Sequence, residues 1–151
     1  MSKFIYRMQN ILELKEKLET QARMAYATQR VALSREEEKR DALIAQKEGI
    51  EQSIRDMSGG QLKAAELRHA SEGITTMKYL IEEQDKAVLR EKRKLDQKRL
   101  ELEEVMKERK AQEKLREKAF EQFLKDENAA ESKVVDELTS YTFGAKRSPN
   151  A

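Results

Sequence analysis

The sequence is poor in the residues that most catalytic and metal-binding sites require. It contains no cysteine and a single histidine, His69, so it cannot form disulfides, thiolate metal sites, a histidine metal cluster or a Ser-His-Asp triad. The adjacent acids at 36–38 lie in a charge-dense segment with nothing to desolvate them and shift a pKa. We therefore expect no catalytic, cofactor-binding or metal-binding residues, and a protein that is not an enzyme.

Long apolar runs are missing as well. No stretch approaches the ~20 apolar residues that a membrane-spanning helix needs. The first residues, Met1–Arg7, are not followed by the apolar core of a signal peptide. The sequence therefore predicts a cytoplasmic protein that is attached to a membrane at most from outside.

Charge, in contrast, is abundant and balanced. Charged residues make up 40% of the chain, with 31 basic and 29 acidic residues and a formal net charge of +2. Because the apolar residues are periodic, this composition favours a coiled coil over disorder. The basic residues alternate with acids and lack aromatic stacking platforms, as in residues 90–99, which argues against nucleic acid as a partner and against a basic membrane-surface helix.

Apolar or small residues recur at alternating spacings of three and four, the a and d positions of a heptad. We call this face of each helix the seam. It predicts a first helical arm over about residues 3–57, with Ser2 as the N-cap, and a second over about 61–143. The seam of the first arm consists of Phe4, Met8, Ile11, Lys15, Leu18, Ala22, Ala25, Gln29 and Ala32, then Leu43, Lys47, Ile50, Ile54 and Met57. The seam of the second arm consists of Leu67, Ala70, Ile74, Met77, Ile81, Gln84, Val88, Glu91, Leu95, Lys98, Leu102 and Val105.

Two of the five glycines, Gly59 and Gly60, are adjacent and separate the two arms. Glycine reaches positive φ at no steric cost, which is how helices commonly end and chains reverse. We predict a turn at 58–60 and therefore an all-α fold, an antiparallel two-helix coiled-coil hairpin with a longer C-terminal helix. This hairpin is predicted to form one domain over 1–144, followed by a disordered tail at 145–151.

The two arms are unequal in length. Because antiparallel helices rise equally per residue, a reversal at 58–60 places Phe4 opposite about Leu115, and residues beyond about Ala119 overhang the first arm. The overhang carries apolar residues with no partner helix in the chain, namely Phe120, Phe123, Leu124, Val134 and Leu138. Exposed apolar surface marks binding sites, so we expect this end to enter a partner, to fold back or to self-associate.

Two end segments resemble one protein family. Residues 4–16 are similar to the opening of FliJ proteins, a family of flagellar type III export proteins. Residues 115–137 are similar to the C-terminal signature of that family, which ends in Asp-Glu, here Asp136-Glu137. A glycine-rich turn followed by Leu67-Arg68-His69 also fits, and the resemblance covers essentially the whole chain.

This resemblance implies a fold, a role and partners. FliJ-family proteins are antiparallel two-helix coiled coils similar to the central stalk subunit of rotary ATP synthases. The resemblance implies that the end bearing both terminal regions inserts into the hexameric flagellar export ATPase and promotes ring assembly and ATP hydrolysis. The other implied partners are the cytoplasmic domain of the export gate and the export chaperones. The implied place is the cytoplasmic side of the cell membrane at the flagellar base, with membrane attachment only through partners.

The resemblance also implies two sets of binding residues. For the end that enters the ATPase ring, the residues are Phe4, Arg7, Phe120, Phe123, Asp136 and Glu137. For contact with the gate or the chaperones, they lie towards the hairpin end and are Leu43, Ile50, Met77 and Ile81. Packing within the seam explains the second set equally well.

Two alternatives stay open on the sequence alone. One is the equivalent stalk protein of a virulence type III secretion injectisome, which differs mainly in its partner ATPase. The other is a purely structural coiled coil that dimerises through the overhang. Neighbouring genes distinguish a flagellar protein from an injectisome protein, and the mass in solution tests for a dimer.

Overall fold

Two long helices make up most of the chain. The structure, a computed structural model, describes residues 2–57 and 63–147, with side chains as far as Gly144. Helix α1 spans Gln9–Met57 and helix α2 spans Ala64–Arg147.

The helices pack against each other in antiparallel directions, and the described ranges contain no strand. This confirms the predicted all-α helical hairpin with a longer C-terminal helix. The predicted turn at 58–60 lies outside the described residues, so it stays a prediction. Helix α2 includes 145–147, the first three residues of the predicted tail, and 148–151 also lie outside the described residues.

Helix α1 begins later than the seam pattern predicts. The main-chain N–H of Gln9 donates to the carbonyl of Tyr6 at 3.1 Å, and residues 2–6 are not helical. The prediction that Ser2 caps this helix is therefore wrong. Phe4 and Tyr6 instead direct their side chains onto α2, and this packing outweighs the local helical pattern.

The contacts divide the chain into two compact units. The hairpin unit comprises Thr20–Glu104, and the terminal unit comprises Met1–Glu19 with Val105–Ala151. Each unit contains a segment of both helices, so the seam can be followed separately in each.

In the hairpin unit, two glutamine–glutamate pairs join the helices by the same pattern. Gln84 donates from Nε2 to the main-chain carbonyl of Glu36 at 2.9 Å and to its carboxylate at 2.6 Å. Gln29 donates in the same way to the main-chain carbonyl of Glu91 at 3.2 Å and to its carboxylate. These pairs, which we call the amide clamps, fix the helix register because polar seam residues specify alignment at a cost in stability.

The clamps also change the acidity of the carboxyl groups that they hold. The hydrogen bond from Gln84, followed by one from Lys39, holds the pKa of Glu36 below its usual value. The hydrogen bond from Gln29, followed by one from Lys94, does the same for the pKa of Glu91. Both carboxylates therefore keep their charge, and with it the stronger form of the amide hydrogen bond, to a lower pH than an ordinary glutamate does.

Gly49 lies in the interior of α1, and a Cβ added there would meet no heavy atom within 4 Å. Replacing Gly49 by alanine should raise the free energy of unfolding by about 1 kcal/mol, because an interior helical glycine costs that much relative to alanine. Thermal unfolding followed by circular dichroism measures the change. Gly73→Ala is the comparison variant, because its Cβ would make an ordinary van der Waals contact with Ile50 Cδ1 at 3.4 Å and its gain should be of similar size. An unchanged or lower Tm for Gly49→Ala would contradict the prediction.

In the terminal unit, the most buried apolar side chains come from the start of the chain. Leu12 is 4% exposed and Tyr6 is 8% exposed. The Tyr6 hydroxyl donates to Gln112 Oε1 on α2 at 2.9 Å, so the ring is buried while its polar atom keeps a partner. These two residues attach the non-helical start and the first turn of α1 to α2.

Opposite charges also meet across the seam of the terminal unit. Lys15 Nζ lies 2.8 Å from Glu108 Oε2. Arg109 contacts the carboxylate of Glu19, which is 7% exposed, and its NH1 atom lies 2.6 Å from Glu113 Oε1. The carboxylates of Glu113 and Glu19 raise the pKa of Arg109. Lys15 and Glu19 of α1 are therefore each paired with the opposite charge on α2, as burial of a charge requires.

Candidate interaction surface in the terminal unit

Three phenylalanines gather where the start of the chain meets α2. The ring of Phe4 lies edge-on to Phe120, with centroids 5.1 Å apart, and its centroid lies 5.4 Å from that of Phe123. The guanidinium of Arg116 lies 5.6 Å from the centroid of the Phe4 ring, within range of a cation–π interaction. The structure thus brings together three of the six residues predicted for the ATPase end.

Phe4 lies further along α2 than helical counting predicts. The prediction that it faces Leu115 assumed a helical rise of ~1.5 Å per residue from the start of the chain. Residues 2–6 are not helical, and a non-helical backbone extends up to ~3.3 Å per residue, so Phe4 reaches Phe120 and Phe123. These two residues therefore have a partner in the chain, and the overhang begins after them.

Beyond Glu127, every described side chain of α2 is exposed, over 128–144. The large apolar residues here include Val134, Leu138 and Tyr141, which are 53%, 61% and 78% exposed. They are spaced four and three residues apart and therefore share one face of the helix. We define the terminal surface as the five exposed apolar residues of this face, Leu124, Val134, Val135, Leu138 and Tyr141.

The terminal surface continues the face of α2 that packs on the start of the chain. Residues 109 and 112 contact α1 and Tyr6, and residues 120 and 123 contact Phe4. Steps of three or four residues lead from these positions through 127 and 131 to the terminal surface. The apolar face thus extends along α2 past the point where the first residues of the chain cover it.

The segment that carries the terminal surface is acidic. Residues 125–143 contain two lysines and five carboxylates, and two of the carboxylates, Glu127 and Glu131, lie within the face itself. The predicted residues Asp136 and Glu137 are exposed in this segment, and Asp136 lies on the opposite side of α2 from Val134 because it is two residues further along the helix. Arg7, the remaining predicted residue of this set, is also exposed and makes none of the phenylalanine contacts. A positively charged partner surface would complement the negative charge of this segment.

The residues predicted to contact the gate or the chaperones lie in the seam of the hairpin unit. All four, Leu43, Ile50, Met77 and Ile81, are partly buried. Their placement agrees with seam packing, and their role in partner binding stays a prediction.

A more exposed residue, Tyr79, lies nearby and is not among the predicted binding residues. Tyr79 is 61% exposed and lines a shallow groove of about 490 Å³ with Lys47, Lys78 and Glu82. Its exposure could have been expected from the sequence. Tyr79 is two residues after the seam residue Met77, so its ring lies outside the seam. An exposed aromatic residue in a chain with so few of them is a candidate contact residue.

Within residues 2–57 and 63–144, no group of acidic or histidine side chains is suited to hold a metal ion. His69 is exposed. Neither helix, over the part that is described, has a segment long and apolar enough to cross a membrane.

The whole chain was compared with known proteins. Residues 3–148 match the family described as "Flagellar FliJ protein". The chain belongs to the FliJ family. The matched range includes both end segments that resemble FliJ proteins, so the family predicted from the sequence is confirmed.

One relative is similar to the chain in sequence and one solved structure is similar to it in fold. The chain is 29% identical over 138 residues to the flagellar FliJ protein of Bacillus subtilis, a match that covers 91% of this chain and 94% of that protein. It is also similar in fold to a YscO homologue from Chlamydia trachomatis, with a TM-score of 0.68 and 19% identity over 96% of this chain and 98% of that one. The second likeness shows the fold alone.

Proposed function

We propose that this FliJ-family chain is a non-catalytic component of the flagellar type III protein export apparatus. In this role it is a stalk-like protein whose terminal unit binds the hexameric export ATPase. It promotes assembly of the ATPase ring and ATP hydrolysis, and it is required for flagellum biogenesis. Its place is the cytoplasmic side of the cell membrane at the flagellar base, where it is held only through its partners.

The observation that carries this proposal is the terminal surface. Four of its five apolar residues, Val134, Val135, Leu138 and Tyr141, are exposed together within two turns of α2, and clustered exposed apolar residues mark interaction sites. The aromatic cluster of Phe4, Phe120 and Phe123 lies next to this surface, on the preceding turns of α2. Family membership supports the export apparatus as the setting.

The hairpin unit is the proposed contact site for the cytoplasmic domain of the export gate and for export chaperones. The four predicted residues are partly buried, so they act mainly by packing the two helices together. They are Leu43, Ile50, Met77 and Ile81. The exposed Tyr79 and the groove beside it offer the directly accessible contact.

An injectisome stalk protein is the second candidate, and the fold likeness to the YscO homologue supports it. The flagellar assignment is preferred because the FliJ protein of Bacillus subtilis matches in sequence over most of both chains. Genes for flagellar or injectisome components beside the gene for this chain would decide between them.

The proposed function is tested by adding the chain to its cognate export ATPase. At ATPase concentrations where ring formation is incomplete, ATP hydrolysis should rise several-fold as the chain is titrated, because bound chain favours the assembled ring. Phosphate release measures hydrolysis, and sedimentation velocity measures ring formation in the same samples. If a saturating amount of the chain changes neither quantity, the proposed function is wrong.

A further inference from the structure

We infer that the terminal surface binds an amphipathic helix of a partner protein, and that this helix carries a lysine or arginine opposite each of Glu127 and Glu131. The inference rests on the proposed function in so far as the export ATPase is the partner proposed for this surface. Beyond the proposed function, it specifies that the partner's binding segment is a helix and that this helix is positively charged.

A helix is the element that fits because the face is already a helix-packing face. Within the terminal unit, the same face of α2 receives α1 through residues such as Arg109. Its spacing of three and four residues continues without a break through Val134, Leu138 and Tyr141. The apolar residues of a helix lying along α2 would insert between these side chains in knobs-into-holes packing.

Two acidic residues interrupt the apolar part of this face. Glu127 and Glu131 occupy seam positions between Leu124 and Val134. When a partner covers the face, both carboxylates lose water, which is costly unless each gains an opposite charge. The chain meets this requirement elsewhere in the terminal unit, where Glu108 faces Lys15 across the seam.

A second copy of this chain is a poor occupant of the surface. Pairing two overhangs in register would place Glu127 and Glu131 of one chain against the same residues of the other. Residues 125–143 also carry five carboxylates and only two lysines, so the two segments would repel each other. Folding back is also disfavoured, because α2 is unbroken as far as Arg147 and a sharp reversal requires a helix break.

The test measures binding of a labelled synthetic peptide to the full chain by fluorescence anisotropy. The peptide is an amphipathic helix of about three heptads with leucine at its a and d positions. In one form two core positions, four residues apart, are lysine, and in the other form they are glutamate. The lysine peptide should bind at least tenfold more tightly, and Glu127→Lys with Glu131→Lys should reverse that preference.

Asp126→Lys is the matched control for the change in charge. Asp126 is adjacent to Glu127 and accepts a hydrogen bond from Gln122 within α2, but it lies one 100° step around the helix, away from the seam. It should change binding of the lysine peptide less than twofold, whereas Glu127→Lys alone should weaken it several-fold. Circular dichroism confirms that each variant keeps its helical content.

Each outcome bears on the inference separately from the proposed function. Equal binding of the two peptides, or binding of neither, overturns the inference. If that result is found while the chain still stimulates the export ATPase, the proposed function stands and only the inferred helix is lost. Preference for the lysine peptide without ATPase stimulation supports the inferred chemistry and removes the ATPase as the partner. Stable self-association of the chain in sedimentation velocity would favour a second copy and also overturn the inference.

Discussion

A chain in which Val134 and Leu138 are both replaced by alanine should lose nearly all stimulation of the export ATPase and still unfold at the temperature of the parent chain. These side chains are 53% and 61% exposed in the free chain, so their removal leaves no cavity. Burial against a partner is worth about 0.8 kcal/mol for each methylene group. Losing the outer atoms of both side chains should therefore weaken binding roughly a hundredfold.

Stability should not fall in this variant, because alanine has a higher helix propensity than valine or leucine. Leu100→Ala is the matched control. Leu100 is 54% exposed but belongs to the hairpin unit, so its replacement should leave stimulation unchanged. Phosphate release over a titration of each variant gives the comparison. Parental stimulation by the double alanine variant would show that the terminal surface does not bind the ATPase.

The largest loss of stability from a single apolar truncation is expected at Leu12, which is 4% exposed. Leu12→Ala should lower the free energy of unfolding by about 2–3 kcal/mol, the lower part of the range for buried leucines, since few layers of side chains surround a two-helix seam. Urea denaturation followed by circular dichroism measures this loss as a shift in the midpoint.

Leu14→Ala is the control, because Leu14 lies two residues away on the same helix and is 52% exposed. It should change the free energy of unfolding by no more than about 0.5 kcal/mol. If the two variants unfold at the same urea concentration, then the first turns of α1 are not held against α2 as the structure shows.

The helix pair was predictable from the sequence because heptad spacing is a local signal that persists over many turns. The start of α1 was not, because the local pattern continues through Phe4 and Met8 while the structure begins the helix at Gln9. The deciding interactions there are with Phe120, Phe123 and Gln112. These residues are more than a hundred positions away in the sequence, so no local pattern could reveal them.

The candidate surfaces, too, could be predicted only as far as local spacing determines them. Counting from the turn predicted an overhang, and the exposure of Val134 and Leu138 agrees with it. Counting could not show that Phe120 and Phe123 contact Phe4. Seam spacing identified residues such as Met77, but it gave no reason to select the exposed Tyr79, because exposure depends on where the facing helix lies.

The amide clamps have a mechanical consequence. If one helix slid past the other by a heptad, Gln29 would face Gln84 or Lys98 in place of Glu91, and Gln84 would face Gln29 or Leu43 in place of Glu36. Both clamps would break together, since they belong to one register: Glu36 lies seven residues after Gln29, and Gln84 lies seven residues before Glu91. Within the hairpin unit, tension applied to one helix therefore passes to the other without slippage until both clamps give way.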